Sequence, residues 1–156
     1  MTASKILLTG LFAAVLVGST AAKADGFLCV DESNTYGIKL YDNVQAKLGT
    51  RTPAIMILTD GSQAAGSHTL ATFSQAEGTL SYVQGSYHAT ASFPAAYTQT
   101  LNGVKMSQIK DLIFSINHNF NLPLQPGEKV LAQLVISDKS FKSTYLNFTC
   151  SRYLKN

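Results

Sequence analysis

The side chains able to do acid–base or metal chemistry are few and far apart. Three histidines, His68, His88 and His118, are separated by 20 and 30 residues. Two imidazoles share one helix or strand face only at short spacing, and no pair here has it. The cysteines, Cys29 and Cys150, have another use, described below. No metal site and no cofactor are expected.

Nucleophilic catalysis needs a Ser or Cys within reach of a His that a third group orients. Neither G-x-S-x-G nor S-x-x-K with its companion motifs occurs. Gly66-Ser67-His68 and Gly85-Ser86-Tyr87-His88 set serine beside histidine, but triads assemble from distant segments, so both read as polar loop residues. Asp31 and Glu32 are adjacent carboxylates, and on a strand they would point to opposite faces. A glycosidase-type pair could form from Asp60 and Glu77, though nothing in the pattern selects them. If the chain is a hydrolase, its site is expected in loops around Asp60, His68, Glu77 and His88. Glycine-rich phosphate loops, calcium loops and basic amphipathic helices are absent from the sequence. Asn147-Phe148-Thr149 matches a glycosylation sequon, a short pattern that arises by chance.

Tyrosine is the one mild enrichment, at positions 36, 41, 82, 87, 97, 145 and 153. Strands favour tyrosine because it packs on pleated surfaces, which accounts for most of these. Tyr41 and Tyr145 differ in lying opposite the expected core rows. Solvent-facing tyrosine offers rigid amphipathic contact area, so these two are the candidate binding residues.

The N-terminus decides what compartment such residues would work in. Lys5 precedes an apolar run from Ile6 to Val17, and small residues lead to Ala22-Lys23-Ala24. That order is an export signal, residues 1–24, and the run of about 12 residues is too short for a bilayer core needing ~20. Cys29 follows Leu28 well downstream, which disfavours a lipoprotein. Cleavage after Ala24 leaves 156 − 24 = 132 residues, one domain spanning 25–156. It removes Lys5 and Lys23, leaving 12 − 2 = 10 basic against 9 acidic residues, a net charge of +1. The remaining lysines and arginines are scattered, so nucleic acid is not an expected partner.

Two cysteines in an exported chain read as a disulfide. Cys29 and Cys150 stand near the two ends of the mature chain, so its first and last strands must be neighbours or face each other across a core.

Between them, short apolar alternation is punctuated by turn residues, the pattern of an all-β sandwich or barrel. Strands are expected at Phe27–Asp31, Tyr36–Val44, Pro53–Thr59 and Thr69–Gln75, and within Thr79–Phe93, where Gly85 reads as a bulge. Ala54 to Leu58 is apolar on both faces, which predicts a strand covered on two sides. Ser92 to Val104 reads as a long connection, and Met106, Ile109 and Leu112 would also suit a helical turn. From Asp111 the row Leu112, Phe114, Ile116 and Phe120 faces inward, with His118 at its rim. Lys129–Ser137 and Ser143–Arg152 complete about eight strands, enough for an antiparallel β-sandwich, immunoglobulin-like or jelly-roll-like. The alternating strand from Asp111, the Pro-Gly turn and the second alternating strand after it resemble immunoglobulin-like sandwiches, a likeness of architecture over about thirty residues. The Cys, Trp, Cys spacing of true immunoglobulin domains is missing, because the chain has no Trp. An outer-membrane barrel would need longer strands, ~9–11 residues, with aromatic girdles.

These features lead to an exported, periplasmic or secreted, non-enzymatic binding or structural module, with a protein or glycan as partner and no membrane span after cleavage. The alternatives are the small hydrolase above and an inhibitor or assembly factor that pairs an edge strand with its partner.

Overall fold

The structure, a computed structural model, describes residues 25–42, 53–61, 68–83, 85–117 and 127–154. The expected signal and the positions Val44, His118 and Phe120 lie outside the described residues. The protein is all-β and antiparallel. Its strands are β1 (Asp25–Asp31), β2 (Tyr36–Tyr41), β3 (Ile55–Asp60), β4 (His68–Ser74), β5 (Leu80–Val83), β6 (Ser86–Thr90), β7 (Thr100–Leu101), β8 (Val104–Lys105), β9 (Ile109–Ile116), β10 (Lys129–Asp138) and β11 (Ser143–Leu154). Among the described residues no helix is long and apolar enough to cross a membrane.

Nine strands form one hydrogen-bonded ladder in the order β4-β3-β2-β1-β11-β10-β9-β6-β5, and β7 and β8 pair separately. The edge strands β4 and β5 follow each other in the chain and touch where one ends and the next begins. There the Thr79 N–H donates to the Ser74 carbonyl at 3.0 Å and the Ser74 N–H to the Thr79 hydroxyl at 2.9 Å. Following the ladder from Ser74 leads through Ile55, Tyr41 and Gly26 to Tyr153. Following it from Thr79 leads through Thr90, Asp111 and Ser137 to Ser143. The two routes reach β11 at positions 153 − 143 = 10 residues apart. A sheet that meets itself with such a stagger is a rolled sheet. Ten residues of ~3.3 Å against nine spacings of ~4.8 Å correspond to a strand tilt of about 37°, within the range of β-barrels. The two packed layers expected from the strand count are thus opposite walls of one nearly closed barrel.

Rolling puts one side of every strand into a common core. Ile38 and Leu40 of β2, Met56 and Leu58 of β3, Leu112, Phe114 and Ile116 of β9, Leu134 and Ile136 of β10, and Phe148 of β11 are all buried. Each such side chain contributes about 1.5–3 kcal/mol by leaving water. The expected inward residues of β9, Leu112, Phe114 and Ile116, are the ones observed. β3 differs from its doubly covered reading, because Ile55 is 37% exposed and Ile57 half-buried on the outer side. Its apolar outer positions lie one strand from the edge, with no second layer over them among the described residues.

Gly85 forms the turn between β5 and β6 (φ 86°), where Val83 faces Ser86, in place of the expected bulge. The long connection after β6 does more than connect. Leu101 and Met106 are fully buried, and Met106–Gln108 is a single 3₁₀ turn, which resolves the helical option. Asn102 and Gly103, at φ 49° and 78°, make the tight β7–β8 turn that needs two left-handed residues.

Cys29 and Cys150 are directly opposed on the neighbouring strands β1 and β11 and form a disulfide, with Cα atoms 3.9 Å apart and both residues fully buried. The bridge joins the first and last strands at the middle of the ladder.

Candidate functional site

The three longest strands, β9, β10 and β11, lie side by side, and their inward sides carry Leu112, Phe114, Ile116, Leu134, Ile136 and Phe148 of the core. Alternation then fixes what they show to solvent. Because Ser86 pairs with Ser115, Ser115 with Gln133 and Gln133 with Asn147, four uncharged polar side chains form one row across β6, β9, β10 and β11. Ser86 and Ser115 share a hydroxyl hydrogen bond of 2.7 Å, and the Gln133 Nε2 donates to Asn147 Oδ1 at 3.2 Å.

On one side of this row stand Asn117 and Leu131, the latter 65% exposed. The Asn117 N–H donates to the Leu131 carbonyl at 2.8 Å and fixes their relation. On the other side, one pair further along, stands the row His88, Ile113, Val135 and Tyr145, with Tyr145 60% exposed. Ser115, Asn117, Leu131, Gln133 and Asn147 border a shallow open depression of about 420 Å³. Gln133 Oε1, Asn147 Nδ2 and the Asn117 carboxamide have no protein partner among the described residues. Lys129 lies beyond Leu131 on the same strand face, and the Glu32 N–H donates to the Asn147 carbonyl at 3.2 Å, so among the described residues these charged residues stand at the rims.

Tyr145 is held from behind. Asn102, at the β7–β8 turn, donates through Nδ2 to the Tyr145 carbonyl at 3.2 Å, and its N–H donates to the Tyr36 hydroxyl at 3.1 Å. The connection that read as a mere link therefore braces the strand carrying a candidate binding residue. Asn102-Gly103 was visible as a turn pair, but its target could not be read without the register.

The two candidate tyrosines are not brought together. Tyr41 faces outward, half-buried, and pairs with Gly26, which pairs with Tyr153. Tyr145 lies 153 − 145 = 8 residues back along β11, about 26 Å at strand rise. The four residues of the hydrolase reading are also spread out. Asp60 and His68 face each other on β3 and β4 and are both exposed. Glu77 is exposed in the turn after β4, and His88 is half-buried on β6 opposite Ser81 and Ile113. No hydrogen bond or ion pair joins any two of the four. Of the edges, β4 gives its Leu70 carbonyl to the Tyr97 hydroxyl at 3.3 Å and carries a register shift against β3, while β5 shows no charged residue.

A second polar feature is structural. Asp31, buried at the end of β1, accepts N–H bonds from Ser33 at 3.1 Å and from Thr35 and Tyr36 at 2.7 Å, and another from the Ser33 hydroxyl. Burial pushes its carboxyl pKa up, and the Ser33 hydroxyl with the three N–H groups outweighs that, leaving it below its ordinary value. Asp31 thereby folds the β1–β2 turn.

Compared with known protein families, with characterised proteins and with solved structures, the chain gives no match.

Proposed function

We propose that this chain is an exported binding module that works through the outer face of β9, β10 and β11. The observation that carries the reading is the depression between Asn117, Leu131, Gln133 and Asn147, whose donors and acceptors are open to a ligand. It is built on the middle of a ladder, so its side chains are already positioned and lose little freedom on binding. Tyr145 extends it with an aromatic surface. Export is supported by the leader-like N-terminus and by a buried disulfide of the kind that persists in oxidising compartments.

The test expresses the full chain with its leader in a bacterial host. N-terminal sequencing of the exported fraction is expected to begin at Asp25. The purified protein is then screened against a glycan array and against exported proteins of the host. Leu131→Glu places a charge in the depression and is expected to abolish capture, while Tyr41→Ser, at the far end of the barrel, leaves it intact. Capture that survives Leu131→Glu removes this face from the proposal.

A further inference from the structure

We infer that the ligand of the β9–β11 depression is a neutral oligosaccharide, bound through its hydroxyls by Gln133, Asn147 and Asn117. This rests on the reading of that face as a binding surface and names what it would take.

Three observations narrow the class. The first is charge. The depression is lined by Ser115, by the carboxamides of Asn117, Gln133 and Asn147, and by the apolar Leu131, Ile116 and Ala132, with no cation or anion among them. An anionic ligand would give up water without gaining a charge-assisted bond, which such ligands need to be held. Carboxamides both donate and accept, as vicinal sugar hydroxyls do.

Second is position in the ladder. β10 lies between β9 and β11, β11 between β10 and β1, and β9 between β10 and β6. Beside the depression Ser115 and Gln133 are paired on both sides and the Asn147 and Leu131 carbonyls are taken by the Glu32 and Asn117 N–H groups, so an extended peptide cannot add to the sheet here. Recognition must run through side chains alone, which suits a ligand that presents hydroxyls rather than a peptide backbone.

Third is the distribution of apolar surface. A protein partner needs about 800 Å² from each side with an apolar centre. Among the described residues the exposed large apolar ones are Ile55, Val83, Leu131, Phe141 and Tyr145, each on a different strand or turn, and of these only Leu131 borders the depression. One leucine with Tyr145 beside Asn147 on β11 instead offers small apolar platforms for the C–H faces of sugar rings.

The experiment titrates the ¹⁵N-labelled oxidised protein with cellohexaose, chitohexaose and maltohexaose, and in parallel with hexagalacturonate, following backbone and carboxamide side-chain resonances. At least one neutral hexasaccharide is expected to shift the side-chain NH₂ signals of Gln133, Asn147 and Asn117. The double variant Gln133→Ala, Asn147→Ala is expected to weaken that binding at least about tenfold with an unchanged thermal midpoint. Shifts with hexagalacturonate alone would overturn the neutral class while leaving the face a binding surface. Silence from every sugar overturns the inference, and the Leu131→Glu screen then decides separately whether the face binds anything else.

Discussion

The Tyr87 hydroxyl donates to the Asp42 carboxylate at 2.8 Å, with both residues buried. Tyr87 belongs to β6 and Asp42 follows β2, and five strand steps separate those strands in the ladder. In a flat sheet they would be roughly 24 Å apart. The bond exists because the ladder is rolled, and it ties opposite walls together through the interior. The Tyr82 ring, 5.0 Å from that of Tyr87, packs against the same point.

Tyr87→Phe keeps the ring and deletes the donor to a buried carboxylate. The expected loss is about 1–3 kcal/mol, read as a lower urea midpoint with an unchanged slope. A double-mutant cycle with Asp42→Asn should return a coupling of about 0.5–3 kcal/mol. Additive behaviour would mean that the two side chains do not hold the walls together.

The Cys29–Cys150 bridge spans a sequence separation of 121. Closing so long a loop restricts the unfolded chain, and in the chain-entropy model the stabilisation is about 4–5 kcal/mol. Cys29→Ala with Cys150→Ala is expected to lose at least about 2 kcal/mol in urea unfolding. Both cysteines are fully buried, so dithiothreitol should reduce the native protein far more slowly than the urea-unfolded protein, as followed by thiol titration.

Asp31 sets a pH dependence. Its folded-state pKa lies below the ordinary value, so the folded protein binds this proton more weakly than the unfolded chain and protonation favours unfolding. The contribution is complete above the ordinary carboxylate pKa of about 3.9 and is lost as pH falls through the lower folded value. Asp31→Asn is expected to cost about 1–3 kcal/mol at neutral pH. The gap between variant and wild type should close on acidification below about pH 4, measured by urea unfolding across the range.

Gly26 on β1 has no space for a side chain, because an added Cβ would lie 2.0 Å from the Leu40 carbonyl oxygen. That oxygen is backbone and cannot swing away. Gly26→Ala must push β1 from β2, at an expected cost of about 1–3 kcal/mol. Hydrogen exchange should then speed up at Phe27 and Leu40, which pair across that ladder.

How much of this was readable beforehand depends on how far each feature reaches along the chain. Alternation is local, so Ile38 and Leu40, or Leu134 and Ile136, declare their inward side from two-residue spacing, and those rows were legible. Cys29 and Cys150 added one long-range contact, which placed β1 beside β11. The roll was not legible, because it depends on Ser74 and Thr79 meeting and on the stagger accumulated over nine strands. β3 misled for a related reason. Its apolar outer residues predict a covering layer, and whether one exists is decided by elements distant in sequence. The binding face was half legible. Tyr145 reads as outward-facing from the sequence, but only the register of β9, β10 and β11 sets Ser115, Gln133 and Asn147 in line. Tyr41 and Tyr145 looked equivalent in the sequence and separate once Gly26 pairs with Tyr153.

The outer face carries its side chains to solvent only because the ladder is rolled with its other face inside. The most direct measurement is a NOESY spectrum of the isotope-labelled oxidised protein in solution. Cross-peaks from the Tyr87 ring protons to the Asp42 β-protons, with a slowly exchanging Tyr87 hydroxyl proton, are the expected result. A Tyr87 ring with no contacts to the end of β2, in a protein whose β6–β9 and β1–β2 pairings are intact, would contradict the barrel and the site built on it.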